Sequence, residues 1–280
     1  MRQHRSLSAG NKKALILSMV VTAVLSLLPI SSHATVDWND SFEYANDASL
    51  GAVWEASCLG NPGVSTDRAF SGSKSLKETF RGAAGVDPGA GGCFLNRYLP
   101  ALSDTMYNRF YMYMQNFTVN STGTKITSHG PNGLYPSFWW LMNFGGAHLD
   151  VAVQGIILNN GTQGTENIIG PAIPQNQWVC IETRITMSSP GVDNGIVQAW
   201  INGTQVMNKT TQRMRAATLN QRNSPTAKFQ VVSLYTQHGV GTIYYDDYAV
   251  SRDARIGCSG SPAPASDTTP PTPPSGVLAR

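Results

Sequence analysis

Seven side chains able to hold a carboxylate or move a proton sit in short segments of this chain. They are Arg109 in TMYNRFYMYMQ, Lys125 and His129 in TKITSHG, Gln154 in VAVQG, and Tyr235, Gln237 and His238 in SLYTQHG. Arg, Lys and Gln can neutralise a carboxylate, and His or Tyr can remove a proton and return one to a leaving oxygen. That set suits β-elimination next to a uronate carboxylate. Glycoside hydrolysis asks instead for two carboxyl groups flanking the bond. Beyond residue 34 the glutamates are Glu43, Glu55, Glu78, Glu166 and Glu182, and only Glu43, three residues after Asp40, lies within three residues of an aspartate. The adjacent pair Asp246-Asp247 would point to opposite faces of a regular strand. Hydrolysis is therefore disfavoured.

The segments that must position these residues alternate with period two. In Tyr107–Gln115 the set Phe110, Met112, Met114 opposes Arg109, Tyr111, Tyr113, Gln115. In His148–Gln154, Leu149, Val151 and Val153 oppose His148, Asp150 and Gln154, with His148 read as an ordinary surface residue. In Trp178–Met187, Val179, Ile181, Ile185 and Met187 oppose Glu182 and Arg184. Further strands are expected at Ser137–Phe144, Ile196–Asn202, Lys228–Gln237 and Thr242–Ser251, with a hairpin at Asn202-Gly203. Trp139, Trp140, Trp178 and Trp200 read mostly as core aromatics. A strand face of Tyr, Arg, His and Gln suits sugar rings, which present apolar C–H patches and many hydroxyls.

Composition narrows the class. The chain has 280 residues, 27 Gly, 16 Pro and only 13% charged side chains, which excludes a coiled coil or an acidic solvating tail. Residues 1–34 read as a signal peptide: a basic start precedes the apolar run Ala14–Leu28 and the small-residue site Ser32-His33-Ala34. Without Arg2, Arg5, Lys12 and Lys13 the 20 basic residues fall to 16 against 17 acids, so nucleic acid is not an expected partner. A secreted protein, extracellular or periplasmic, with no stable membrane insertion is expected. Cys58, Cys93, Cys180 and Cys258 form an even set without a Cys-x-x-Cys pair, which in an oxidising compartment reads as disulfides. Three connectivities are open; Cys58–Cys93 with Cys180–Cys258 is preferred. Residues 259–280, rich in Pro, Ser and Thr, read as a linker, leaving a folded domain over 35–258.

Several stretches carry a resemblance. WNDSFEY, SGSKSLKETF, GIVQAWINGTQV and GTIYYDDYAVS are similar to segments of the concanavalin A-like lectin and glucanase jelly rolls, closest in type to their alginate, glucuronan and heparin lyase branches. DTTPPTPPSGV resembles the opening of a fibronectin type III module, which makes a further C-terminal domain an expected partner. The resemblance implies an all-β, two-sheet antiparallel sandwich whose concave face is a polysaccharide groove. The glycosidase branch's Glu-x-Asp-x-x-Glu is absent. The lyase branch's Gln-x-His is broken, because Gly155 and Ile156 follow Gln154, so His129, His238 or Tyr235 must substitute. No cofactor is expected to be required. A structural Ca²⁺ is a candidate where Asp37, Asp40 or Glu43 meets Asp247. The expected catalytic set is Arg109, Lys125, His129, Gln154 and Tyr235 on one face, with Tyr111, Tyr113, Gln237 and His238 binding an acidic glycan. In this reading Arg109 and Gln154 hold the uronate, and Tyr235 or His129 takes the proton. The alternatives are a non-catalytic lectin-like module of a multidomain secreted protein and a structural or adhesive surface domain.

Overall fold

The alternating segments pair into two antiparallel sheets. The computed structural model describes residues 34–56, 61–82, 93–118, 124–131, 137–143, 148–157, 163–219, 224–236 and 239–258. The strands are β1 (Val36–Asp40), β2 (Glu55–Ala56), β3 (Gly63–Ser65), β4 (Ser75–Gly82), β5 (Cys93–Ser103), β6 (Thr105–Thr118), β7 (Thr124–Gly130) and β8 (Ser137–Asn143). They continue with β9 (His148–Ile157), β10 (Gln163–Ile168), β11 (Trp178–Thr186), β12 (Gly195–Ile201), β13 (Thr204–Gln212), β14 (Phe229–Thr236) and β15 (Gly239–Ser251). One short helix, α1 (Asp47–Gly51), follows Asn46, whose side chain caps it by accepting from Ser49 N at 3.0 Å. The expected signal peptide and the 259–280 linker lie outside the described residues. No described helix is long and apolar enough to cross a membrane.

The eight-stranded sheet runs β13-β12-β11-β6-β15-β4-β3, with β1 also paired to β15; the seven-stranded sheet runs β10-β9-β8-β7-β14-β5-β2. Phe110, Met112, Met114, Leu76, Ile243 and Ile181 from the first belong to the same buried cluster as Leu95, Ile126, Leu149, Val151, Val232 and Leu234 from the second. Side chains of opposite parity therefore face outward on each sheet. The architecture is the expected two-sheet jelly-roll sandwich.

Three local devices shape it. Asn202 (φ 48°) and Gly203 (φ 81°) make the tight β12–β13 turn, whose two left-handed positions suit that sequence. Pro100 lies in β5 beyond the residues that β2 pairs, Asn96 and Leu95, where a missing donor does least harm. In β15 the register to β6 shifts between Asp246 and Ala249, and Asp247 takes φ 45°. This bulge turns both Tyr245 and Tyr248 into the core. It also corrects the reading of Asp246 and Asp247 as opposed: both carboxylates reach the same loop. Asp246 accepts from Phe70 N at 2.7 Å and Asp247 from Ser71 Oγ at 2.8 Å.

Candidate functional site

The structure divides the expected site between the two sheets of the sandwich. Arg109, Tyr111 and Tyr113 are on β6, with their even-numbered neighbours in the core, so they face outward from the eight-stranded sheet. Lys125, His129, Gln154 and Tyr235 lie on β7, β9 and β14 of the other sheet. The expected convergence of Arg109 with Gln154 and Tyr235 does not occur, because adjacent strands in the chain entered different sheets.

The β6 residues are engaged by the chain's own cover. Cys180–Cys258 closes a disulfide, as preferred from the sequence, and lays residues 252–258 over the sheet. Buried Glu182 accepts from Ile256 N at 2.7 Å and Gly257 N at 3.1 Å and pairs with Arg255 Nη2 at 2.7 Å. Arg255 lies 4.2 Å over the Trp200 ring. Arg109 donates to the carbonyls of Asp247 at 3.1 Å and Gly257 at 3.5 Å, and its guanidinium stands 5.3 Å from the Tyr111 ring. Tyr111 is buried beneath Phe70, ring to ring at 3.5 Å and 12°. Neither Arg109 nor Tyr111 is available to a glycan. Tyr113 stays half-buried, with Arg68 4.3 Å over its ring and Trp178 at 5.7 Å. Trp178 and Trp200 are thus outer-face aromatics under local cover, correcting the core reading.

On the seven-stranded sheet Tyr235 is the ordered centre. Val232 and Leu234 point into the core, so Tyr235 faces outward, where its ring stacks on Phe94 at 6.3 Å and 3°. Beside it Ser233 Oγ donates to Asn96 Oδ1 at 2.6 Å. Burial raises the phenol above its ordinary 10.0, so it is protonated at neutral pH. β7 pairs directly with β14, and Leu234 opposes Thr127. Lys125 sits in the row Lys125–Leu141–Asp150 across β7, β8 and β9. His129 holds the register position of Val232, a core residue.

Gln154 does not join this group. It opposes Ser137, whereas the ladder carries the level of Tyr235 to residues 150–151 of β9. Three strand spacings and about three residues separate them by roughly 15–20 Å. The residue level with Tyr235 is Asp150, which the sequence reading placed on the outward set without a role. Its carboxyl accepts from Gly170 N at 2.8 Å, and burial raises its pKa, opposed by that bond and by His148. His148 Nδ1 lies 3.0 Å from the Gly170 carbonyl. The outward alternation around Leu149 could have singled out both. Gln237, His238 and Cys58 lie outside the described residues, as does the side chain of Cys93.

The expected calcium ligands do not assemble. Asp37 pairs with Arg252 at 2.5 Å. Asp40 is filled by Phe42 N at 2.7 Å, Trp54 Nε1 at 2.7 Å and the Tyr44 hydroxyl. Glu43 accepts from Ser73 N at 2.8 Å and Lys74 N at 2.7 Å. These are N–H and O–H donors where a hard cation needs free oxygens. Among the described residues no group of three His, Cys, Asp or Glu could hold a metal.

The fold has known relatives in structure. No protein-family model matches the chain, and no curated protein matches it by sequence. Alginate lyase vAL-1 from a Chlorella virus superposes with TM-score 0.53 at 12% identity, over 78% of this chain and 100% of its own. The endo-β-1,4-glucuronan lyase of the fungus Trichoderma reesei gives 0.52 at 13%, over 78% and 95%. The cellulose-induced protein Cip1 gives 0.51 at 18%, over 79% and 100%. The chain therefore shares the two-sheet jelly-roll fold of these proteins.

Proposed function

We propose that the protein is a secreted polysaccharide lyase that cleaves a uronate-containing glycan on the outer face of the seven-stranded sheet. The observation that carries this reading is Tyr235, an outward, nearly buried phenol on the strand adjoining Lys125, in a fold shared with lyases of acidic glycans. In the proposed step Tyr235, as its phenolate, takes the proton from the carbon next to the uronate carboxylate. The electron pair forms a double bond, the glycosidic bond breaks, and the phenol returns the proton to the leaving oxygen. Lys125 offsets the charge that builds on the carboxylate. Tyr235 rather than His129 is assigned the proton because His129 shares the register of a core position. No metal is assigned to this step.

The raised phenol pKa gives the proposal a pH signature: kcat climbs from neutral toward alkaline pH as the phenolate fraction grows. The test is incubation of the purified chain with polymannuronate, polyguluronate, glucuronan and heparin-like chains. Ultraviolet absorbance of the conjugated product should rise with at least one of them. Glycan binding without absorbance on any of them would favour the lectin-like module instead.

A further inference from the structure

At the edge of the eight-stranded sheet, β3 and β4 border an open recess of about 390 Å³ lined by Asp47, Asn61, Ser65, Asp67, Lys77 and Thr79. Its volume falls in the roughly 300–1,000 Å³ range of small-molecule sites, and its wall is built from hydroxyl, amide, carboxylate and ammonium groups. Several of those groups are locked in place. The Asn61 amide donates to the Thr79 carbonyl at 2.9 Å and accepts from Thr79 N at 2.7 Å, while Asp47 Oδ1 accepts from Val64 N at 2.7 Å. Lys77 and Asp67 meet at 2.6 Å with side chains 36% and 53% exposed, so the pair faces the opening.

An aromatic strip leads away from the recess. The Tyr244 hydroxyl is 3.5 Å from Asp67 Oδ2, Tyr113 lies 6.2 Å from Tyr244, and Trp178 lies 5.7 Å from Tyr113. Tyr113 and Trp178 keep part of their rings at the surface. Hydroxyl-binding groups beside aromatic edges match a sugar chain, whose rings offer paired hydroxyls and C–H faces. Charge selects the kind of sugar. Asp47 and Asp67 are matched in number by Lys77 and by Arg68, which lies over the Tyr113 ring, and the hydrogen bond from Lys77 holds the Asp67 carboxyl below its usual range and anionic. A uronate would meet no surplus of positive charge here, and a neutral sugar needs none.

We propose that this recess is a second carbohydrate site, taking a residue of a neutral glycan chain that runs along the exposed edges of Tyr113 and Trp178. The site would anchor the protein on a neutral polysaccharide while the opposite sheet acts on an acidic one, and it does not depend on that activity. The experiment titrates the full chain with cellohexaose, xylohexaose and a hexameric uronate, by calorimetry and by amide chemical shifts. A neutral hexamer should bind with Kd on the order of 1 mM and weaken about tenfold or more in Asp67→Ala and Lys77→Ala. Those positions are exposed enough for the fold to persist. Shifts should map to β3, β4 and Trp178, and Tyr235→Phe should bind the neutral hexamer like the parent chain. The proposal is overturned by any of three results: no neutral hexamer binds, Asp67→Ala leaves binding unchanged, or the shifts map to β7 and β14. A failed lyase proposal would show up separately, as missing unsaturated product.

Discussion

The two outer faces of the sandwich are built from similar residue types, but one is covered by the chain's own segments and the other is the face proposed for the glycan. On the eight-stranded sheet Glu182, Arg109, Tyr111 and Trp200 look like ligand-binding groups, yet residues 252–258 and Phe70 occupy nearly all of them. On the seven-stranded sheet Tyr235 lies outward beside Phe94, Ser233 and Asn96. A polar aromatic strand face thus signals a partner without saying whether that partner is a glycan or the chain itself.

The sharpest way to break the contrast is to unfasten the strap. Glu182→Gln removes the charge opposite Arg255 and leaves a single buried oxygen for donors that now occupy two: the backbone N–H groups of Ile256 and Gly257 on one, Arg255 on the other. It should cost about 3–5 kcal/mol in denaturant unfolding, with product formation per folded molecule unchanged. A loss of catalysis without a loss of stability would move the chemistry to this face.

Next in size is the pH response of Asp246, beneath the same cover. Burial raises its carboxyl from 3.8 to about 7 against the N–H groups of Ser71, Phe70 and Asp247, and the Asp247 charge adds to the rise. The folded chain thus holds this proton more tightly than the unfolded chain. Its contribution to stability is greatest below 3.8 and falls as pH rises, being lost above about 7. Asp246→Asn should flatten the stability curve across that window by at most about 4 kcal/mol, measured by unfolding at stepped pH. An unchanged slope would show that the carboxyl is ionised throughout.

Cys180→Ser with Cys258→Ser opens a crosslink between positions 78 apart and should cost about 2–4 kcal/mol. It should also expose Trp200 from under Arg255, visible as a red shift in emission. The exposed Lys77–Asp67 pair marks the other end of the scale: Lys77→Ala should change stability by less than about 1 kcal/mol. A larger effect would make that pair part of the scaffold and not of a recess.

These contrasts explain what the sequence could show. The alternation in Tyr107–Gln115 and His148–Gln154 gave each strand its faces, because burial of one side leaves a period-two trace. The same trace is silent on which sheet a strand joins, so Arg109 and Tyr235 read as neighbours although they occupy opposite surfaces. Register is equally hidden. Gln154 and Asp150 are equivalent by alternation, and only pairing with β8 sets Asp150 level with Tyr235. The Asp246-Asp247 pair misled for a third reason: a bulge breaks the alternation that adjacent residues otherwise obey.

One paired measurement bears most directly on the claim that chemistry belongs to the seven-stranded sheet. Tyr235→Phe keeps the Phe94 stack and removes only the hydroxyl, while Arg109→Ala empties the strapped face. Both are assayed for unsaturated product on the uronate glycan that the parent chain cleaves, with unfolding curves run alongside. Tyr235→Phe is expected to lower kcat by about 10²–10⁴-fold at parental stability, whereas Arg109→Ala is expected to lose stability and keep kcat. A parental rate in Tyr235→Phe, or a collapse in Arg109→Ala with the fold intact, would contradict it.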